Sequence, residues 1–182
     1  EGFGALERLS AETLGEPVTR HRTSWVRRVG LAGSVCYVKT YDYPTVRDRL
    51  RGALRNTWLG RSRALREWEA LAWMRAAGFA APQPLAVLER RRLGLLRRAT
   101  LVTAAYPGEP LDRILPSLEA AAREALLGEL RCFVTALHRA GYRDRNLDLR
   151  NLLARPHPRG WEIVKIDSPR HRLVRPGPAA DR

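Results

Sequence analysis

The chain has 182 residues, 45% of them hydrophobic, with 33 basic against 19 acidic side chains and a formal net charge of +14. That length suits one domain or one domain of two small lobes, and the apolar share is enough for a core, which argues against general disorder. No run of about 18 apolar residues is present, so no membrane-spanning helix is expected, and no signal-peptide pattern opens the chain.

Residues 1–20 carry a short helical pattern and the turn-like "LGEP". "TSWVRRVGLAGSVCYVKTYDYP" predicts two strands, with Gly30 and Gly33 marking the turn and Pro44 closing the second. Residues 45–60 are basic and read as helix or loop. "RSRALREWEALAWMRAAGF" is the strongest helix, with an apolar stripe of Ala64, Leu65, Trp68, Leu71 and Ala72 and a stop at Gly78. "APQPLAVLERR" leads through prolines into a strand. "RRATLVTAAYPGEPLDRIL" is a strand followed by a connector with Pro107, Gly108 and Pro110, and a change in composition puts a lobe boundary near residue 106. "SLEAAAREALLGELRCFVTALHRAG" is a long helix ending at Gly141. The polar loop "GYRDRNLDLRNLLA" follows, then a β-hairpin through "RPHPRG" to "WEIVKID", and a basic, proline-rich tail expected to be loose. No internal repeat is visible. The order predicts an α+β chain, with a sheet lobe over residues 1–105 and a helical lobe over 106–182.

Cys36 and Cys132 share no metal-ligand spacing, and the four histidines are scattered, so a structural zinc site is not expected. Two buried, reduced thiols of a cytosolic protein are the ordinary reading. The basic excess implies attraction to polyanions: nucleic acid, anionic lipid head groups or phosphorylated glycolipid. Only two of the 33 bases are lysines, Lys39 and Lys165, which leaves 31 arginines. A lysine is a compact point charge that fits beside a phosphate where a planar guanidinium would not. In a chain that writes arginine almost everywhere, the two lysines therefore stand out, and both fall on predicted strands.

Lys39, late in the strand "YVKTY", is placed as a phosphotransferase lysine would be, contacting nucleotide phosphates and held by a helix carboxylate. An edge-strand lysine facing solvent is the plain alternative. The carboxylate is Glu67 or Glu69, and Glu67 is favoured because it borders the apolar stripe; an exposed helix partner for a neighbouring arginine is the alternative. Asn151 and Asp167 are the candidate Mg²⁺ pair, an amide oxygen and a carboxylate across a hairpin, matching a cation that takes few protein oxygens beside phosphate oxygens. Asp167 could instead simply open the turn before Ser168-Pro169.

Taken together, these segments resemble the protein-kinase-like superfamily, and within it the bacterial lipopolysaccharide kinase family that phosphorylates Kdo or heptose sugars. The matching stretches are "YVKTYDYP", "SRALREWEALAWMRAAGFAAPQPLAV", "LVTAAYPGEPL", "LHRAGYRDRNLDLRNLL" and "IVKID", over roughly residues 18–170. The resemblance implies a two-lobed fold with an N-terminal antiparallel sheet lobe and a truncated helical C-lobe. It implies ATP and Mg²⁺ as cofactors, Lys39 on the ATP phosphates with Glu67 orienting it, Asn151 and Asp167 on the metal, and Thr103–Tyr106 meeting adenine through the backbone. The partners it implies are an anionic glycolipid or sugar acceptor, in the cytoplasm and peripherally at the inner membrane. Nucleic acid is not expected, since the arginines are dispersed and no stacking platform is evident.

The chain departs from the family pattern in three places. No glycine-rich phosphate loop precedes Lys39. The chain starts at Glu1 without a Met and ends soon after Asp167, so a fragment is expected. In the loop, a kinase places its catalytic Asp five residues before the metal-binding Asn, but five residues before Asn151 stands Asn146, with Asp144 and Asp148 on either side. Three readings stay open. Asp148 could act as the base, since a neutral amide cannot take a proton. Asn146 could position the acceptor in a slow enzyme. Or the chain could be a pseudokinase that docks an anionic membrane or partner through its arginines. Asp144 stands at the usual His position and is expected to make a hydrogen bond within the loop.

Overall fold

The computed structural model describes residues 14–31, 33–52 and 60–174, with the side chains of 51–52 left aside. The helical pattern read near the N-terminus falls largely outside these residues. The described chain runs β1 (Glu16–His21), β2 (Ser24–Leu31), β3 (Ser34–Asp42), α1 (Val46–Gly52), α2 (Arg63–Ala76), β4 (Pro84–Arg92) and β5 (Leu95–Ala104). It continues with β6 (Glu109–Pro110), α3 (Leu111–Ser117), α4 (Ala120–Arg139), β7 (Tyr142–Asp144), a 3-10 turn (Leu149–Asn151), β8 (Leu152–His157), β9 (Gly160–Lys165) and β10 (His171–Leu173).

The chain divides into two compact units. One comprises Glu1–Ala72 and Pro82–Ala105, the other Trp73–Ala81 and Tyr106–Arg182. The first unit is an antiparallel sheet in the order β1-β2-β3-β5-β4. Its middle strand, β3, alternates so that Cys36, Val38 and Thr40 are buried on one face. Val38 lies opposite Val102, and the two pack with Val29 and Cys36 into a small apolar cluster. Lys39 necessarily points to the other face. β4 and β5 are joined by the two-residue turn Leu93-Gly94, both at positive φ (52° and 75°), the geometry that matches strand twist in a tight hairpin.

Helix α2 begins where the Ser62 hydroxyl accepts the Leu65 amide (3.1 Å), a side-chain N-cap. It stops at Gly78, whose φ of +82° lets the Phe79 amide reach Met74 O (2.8 Å). Its buried stripe is Ala64, Glu67, Ala70, Leu71 and Met74. This differs from the sequence expectation: Ala72 is exposed and Leu65 and Trp68 only half-buried. Counting apolar residues alone moved the stripe aside, because its true centre is a glutamate.

The second unit holds the sheet β6-β8-β9, the pair β7-β10 and helices α3 and α4. Its core is Leu111, Leu126, Leu152, Ala154 and Ile163. A second stack joins Trp73 to Tyr142 (5.2 Å between centroids) and Tyr142 to His171 (5.5 Å). Several elements depart from expectation. The sequence marks only the turn-like "LGEP" at the start of β1, and the six residues of this strand are all exposed, so no apolar alternation announces it. The tail is not loose at His171–Leu173, which pairs with Tyr142–Asp144. The two thiols also differ: Cys36 is buried, whereas Cys132 is exposed on α4, which fully buries only Leu126 and Leu137. No helix among the described residues is long and apolar enough to cross a membrane.

Candidate active site

The first unit brings Lys39 and Glu67 together. Lys39 Nζ lies 2.9 Å from Glu67 Oε2 and 3.2 Å from Oε1. The pair links the centre of the sheet to the middle of α2. Glu67 is 5% exposed, while the Lys39 side chain keeps 19% of its surface open. Lys39 also lies 5.6 Å from the Tyr41 ring centroid, which adds a cation–π attraction. Burial of the carboxylate matters: an ionised Glu inside a helix face needs a cation, and the lysine supplies it. Glu69, the other candidate, turns outward to Arg61 at 3.1 Å. Of the connector residues, Thr103 lies opposite Tyr37 in the sheet and the Ala105 amide donates to Val35 O (2.9 Å).

The second unit gathers Asn146, Asn151 and Asp167. Asn146 Nδ2 donates to Asp167 Oδ2 (2.7 Å) and to Asp167 O (3.1 Å). Asn151 Nδ2 donates to Asn146 O (3.2 Å), and Asn151 O accepts the Ile166 amide (2.9 Å). The hairpin register, with Leu152 opposite Lys165, is what brings Asn151 beside the segment ending in Asp167. Asn151 spends its amide nitrogen on the loop, so its side-chain oxygen is the atom suited to a cation. Asp167 sits at φ +56°, a left-handed conformation that aspartate tolerates better than most residues. Among the described residues, no group of three or more His, Cys, Asp or Glu is arranged to hold a metal ion. One carboxylate and one amide oxygen, completed by phosphate oxygens and water, still fit Mg²⁺ and do not fit zinc.

Beneath this loop lies the second lysine. Lys165 Nζ pairs with Asp144 Oδ2 at 3.3 Å, with side chains 0% and 1% exposed. Lys165 also donates to Ile166 O and to Asp167 O (3.2 Å). Asp144 in turn accepts the Asn146 amide through Oδ1 (2.8 Å). Sequence reading gave Lys165 no role. Its rarity as one of two lysines was the available signal.

Asp148 is placed differently from the others. It caps the 3-10 turn, accepting the Arg150 amide (3.0 Å), and its second oxygen meets Arg150 Nη2 at 2.9 Å. The Arg150 guanidinium, then the Arg150 amide, hold its carboxyl down to about 2. A carboxylate that acidic is a weak proton acceptor. It lines an open groove of ≈ 440 Å³ with Leu130, Val134, Leu147, Leu149 and Leu152. Tyr106 donates to Glu162, which also takes Arg155 Nε at 2.5 Å. Burial, then that hydrogen bond, push the Tyr106 hydroxyl up to about 12. Several arginines serve local structure: Arg22 pairs with Asp48 (2.6 Å) and Arg98 with Asp42 (3.2 Å).

No curated protein sequence matches the chain. Its fold is similar to that of WaaP in complex with acyl carrier protein, at 20% identity and a TM-score of 0.68, covering 98% of this chain and 68% of that one. It is also similar to WbdD, at 20% identity and a TM-score of 0.59, covering 91% of this chain and 34% of that one. WbdD co-crystallised with the kinase inhibitor LY294002 aligns at 23% identity and a TM-score of 0.55, over 85% of this chain and 32% of that one. The chain thus spans about two thirds of WaaP and about a third of WbdD. The family model described as "Lipopolysaccharide kinase (Kdo/WaaP) family" matches residues 5–177, so the chain belongs to the lipopolysaccharide kinase family.

Proposed function

We propose that the chain is an ATP-dependent phosphotransferase that acts on a sugar hydroxyl of the lipopolysaccharide core. The observation that carries this reading is the Lys39–Glu67 pair at 2.9 Å, a partly open cation fixed on a strand by a buried helix carboxylate. That arrangement suits binding the phosphates of ATP. In this reading Lys39 contacts the phosphates of the nucleotide and the backbone of Thr103–Tyr106 its adenine. The residue 106–182 portion holds Mg²⁺ through Asn151 and Asp167, and the metal supplies charge neutralisation on the phosphates when bound.

For the transfer step, the geometry favours Asn146 as the group that positions the acceptor hydroxyl, through its side-chain oxygen, over Asp148 as the base. Asn146 touches Asp167, whereas both oxygens of Asp148 are engaged by Arg150. Phosphoryl transfer depends mostly on positioning and electrostatics, so an amide at position 146 supports slow turnover. The chain would work in the cytoplasm, at the inner membrane face, its arginine excess attracting an anionic glycolipid.

A second reading is a pseudokinase that binds nucleotide or an anionic membrane without turnover. It is favoured by one observation: the amide at 146 is already committed to Asp167. Phosphoryl transfer assayed with Kdo- or heptose-bearing acceptors separates the two. Mg²⁺-dependent transfer supports the first reading, and nucleotide binding without any transfer supports the second.

A further inference from the structure

We propose that Lys165 and Asp144 form a buried positioning pair that sets the Asp167 carboxylate and the Asn146 loop in register with each other. The proposal rests on the kinase reading of the site. The geometry is a closed circuit. Asp144 holds the loop by accepting the Asn146 amide (2.8 Å) and holds Lys165 through its other oxygen (3.3 Å). Lys165 holds the metal-binding segment by donating to the carbonyls of Ile166 and Asp167. Asn146 closes the circuit by donating to the carbonyl and carboxylate of the same Asp167.

Two features make the circuit more than a buried ion pair. First, Asp167 holds a left-handed backbone, φ +56°. A non-glycine residue persists there only where its surroundings over-determine it. Two donors on its carbonyl, one from the lysine and one from the asparagine, do that. Second, a lysine with 0% exposure in a chain with 31 arginines points to a site that a planar guanidinium cannot fill. A compact ammonium can face one carboxylate and two carbonyls at once. Asp144 occupies the position where a kinase loop carries histidine, so the pair is this chain's own means of tying the loop to the metal-binding aspartate.

The test uses Lys165→Met and the double variant Asp144→Asn with Lys165→Met. The single variant leaves Asp144 as a buried unpaired charge and can fail to fold. The double variant removes both charges and keeps the oxygen that accepts the Asn146 amide. Two readouts are taken on the full chain: hydrogen exchange of the amides at 144–151 and 166–168, and ATP affinity with and without Mg²⁺. The expected result is a folded double variant whose two segments exchange about tenfold faster. Its Mg²⁺-dependent ATP affinity falls roughly 10–100-fold, as for partners that orient a metal ligand, while Mg²⁺-free affinity and exchange around Lys39 stay as in the parent. Parent-like exchange in both segments overturns the proposal, as does an even loss across both units, which would make the pair merely structural. If the parent chain itself ignores ATP, the kinase reading falls and the exchange result alone decides the positioning claim.

Discussion

The two lysines of this chain sit in opposite environments. Lys39, in the first unit, keeps 19% of its side chain open and pairs with Glu67 at 2.9 Å. Lys165, in the second, is fully closed and pairs with Asp144 at 3.3 Å. A half-open ammonium can exchange some of its attraction to Glu67 for a phosphate. A closed one has no room for a ligand and can act only through the groups it orients. The same residue type thus suits binding in one unit and, in the proposal above, positioning in the other, and exposure separates the two.

The comparison breaks most visibly at the pairs themselves. Glu67→Ala leaves Lys39 facing an apolar helix stripe without its carboxylate, and breaking such a pair costs about 3–5 kcal/mol. Denaturant melts of the variant should show that loss together with weakened ATP binding. Lys39→Ala should lower Mg·ATP affinity on the order of 10–100-fold, the value of a charge-assisted contact to phosphate. Isothermal titration checks it. Asp167→Ala should remove the response of ATP affinity to Mg²⁺ while leaving binding without metal nearly unchanged.

Smaller effects sharpen the contrast. Asp148→Asn should leave turnover within about threefold if Asn146 positions the acceptor, since proton transfer by a base is typically worth ~100-fold or more. A full loss of turnover with ATP affinity intact would return the role to Asp148. The pH behaviour of this residue also has a definite sign. Its folded-state carboxyl lies at about 2, below an ordinary aspartate. Its ion pair with Arg150 therefore adds stability above about pH 4 and loses it as the pH falls through about 2. The gap in melting temperature between parent and Asp148→Asn should narrow over that acid window. Glu69→Gln is the smallest change. Its contact with Arg61 is an exposed pair, worth ~0–1 kcal/mol, and neither stability nor ATP binding should move beyond that.

What was legible in the sequence follows from the same physics. Lys39 could be put on a strand beside a helix carboxylate because the run "SVCYVKTY" and the rarity of lysine both marked it. Asn151 and Asp167 could be placed because the hairpin "NLLARPHPRGWEIVKID" announces its turn and its apolar strand. β1 was invisible because all six of its residues are exposed, so it carries no alternation. β10 was invisible because its partner is the short strand β7, distant in sequence. The α2 stripe was misplaced because its centre is Glu67, which hydrophobicity counts as surface. The Lys165–Asp144 circuit was hidden for a related reason: a buried ion pair looks, residue by residue, like two solvated charges. Buried, paired polar groups are where apolar patterning fails.

The central proposal is that Lys39, in the first unit, binds the phosphates of ATP and that Asp167, in the second, binds Mg²⁺. ATP titration with and without Mg²⁺, on the parent chain, Lys39→Ala and Asp167→Ala, tests it most directly. The expected result is Mg²⁺-enhanced ATP binding in the parent, loss of affinity in Lys39→Ala and loss of the Mg²⁺ enhancement in Asp167→Ala. Equal binding by all three proteins, with or without Mg²⁺, would contradict it and leave only the attraction of a basic surface for a polyanion.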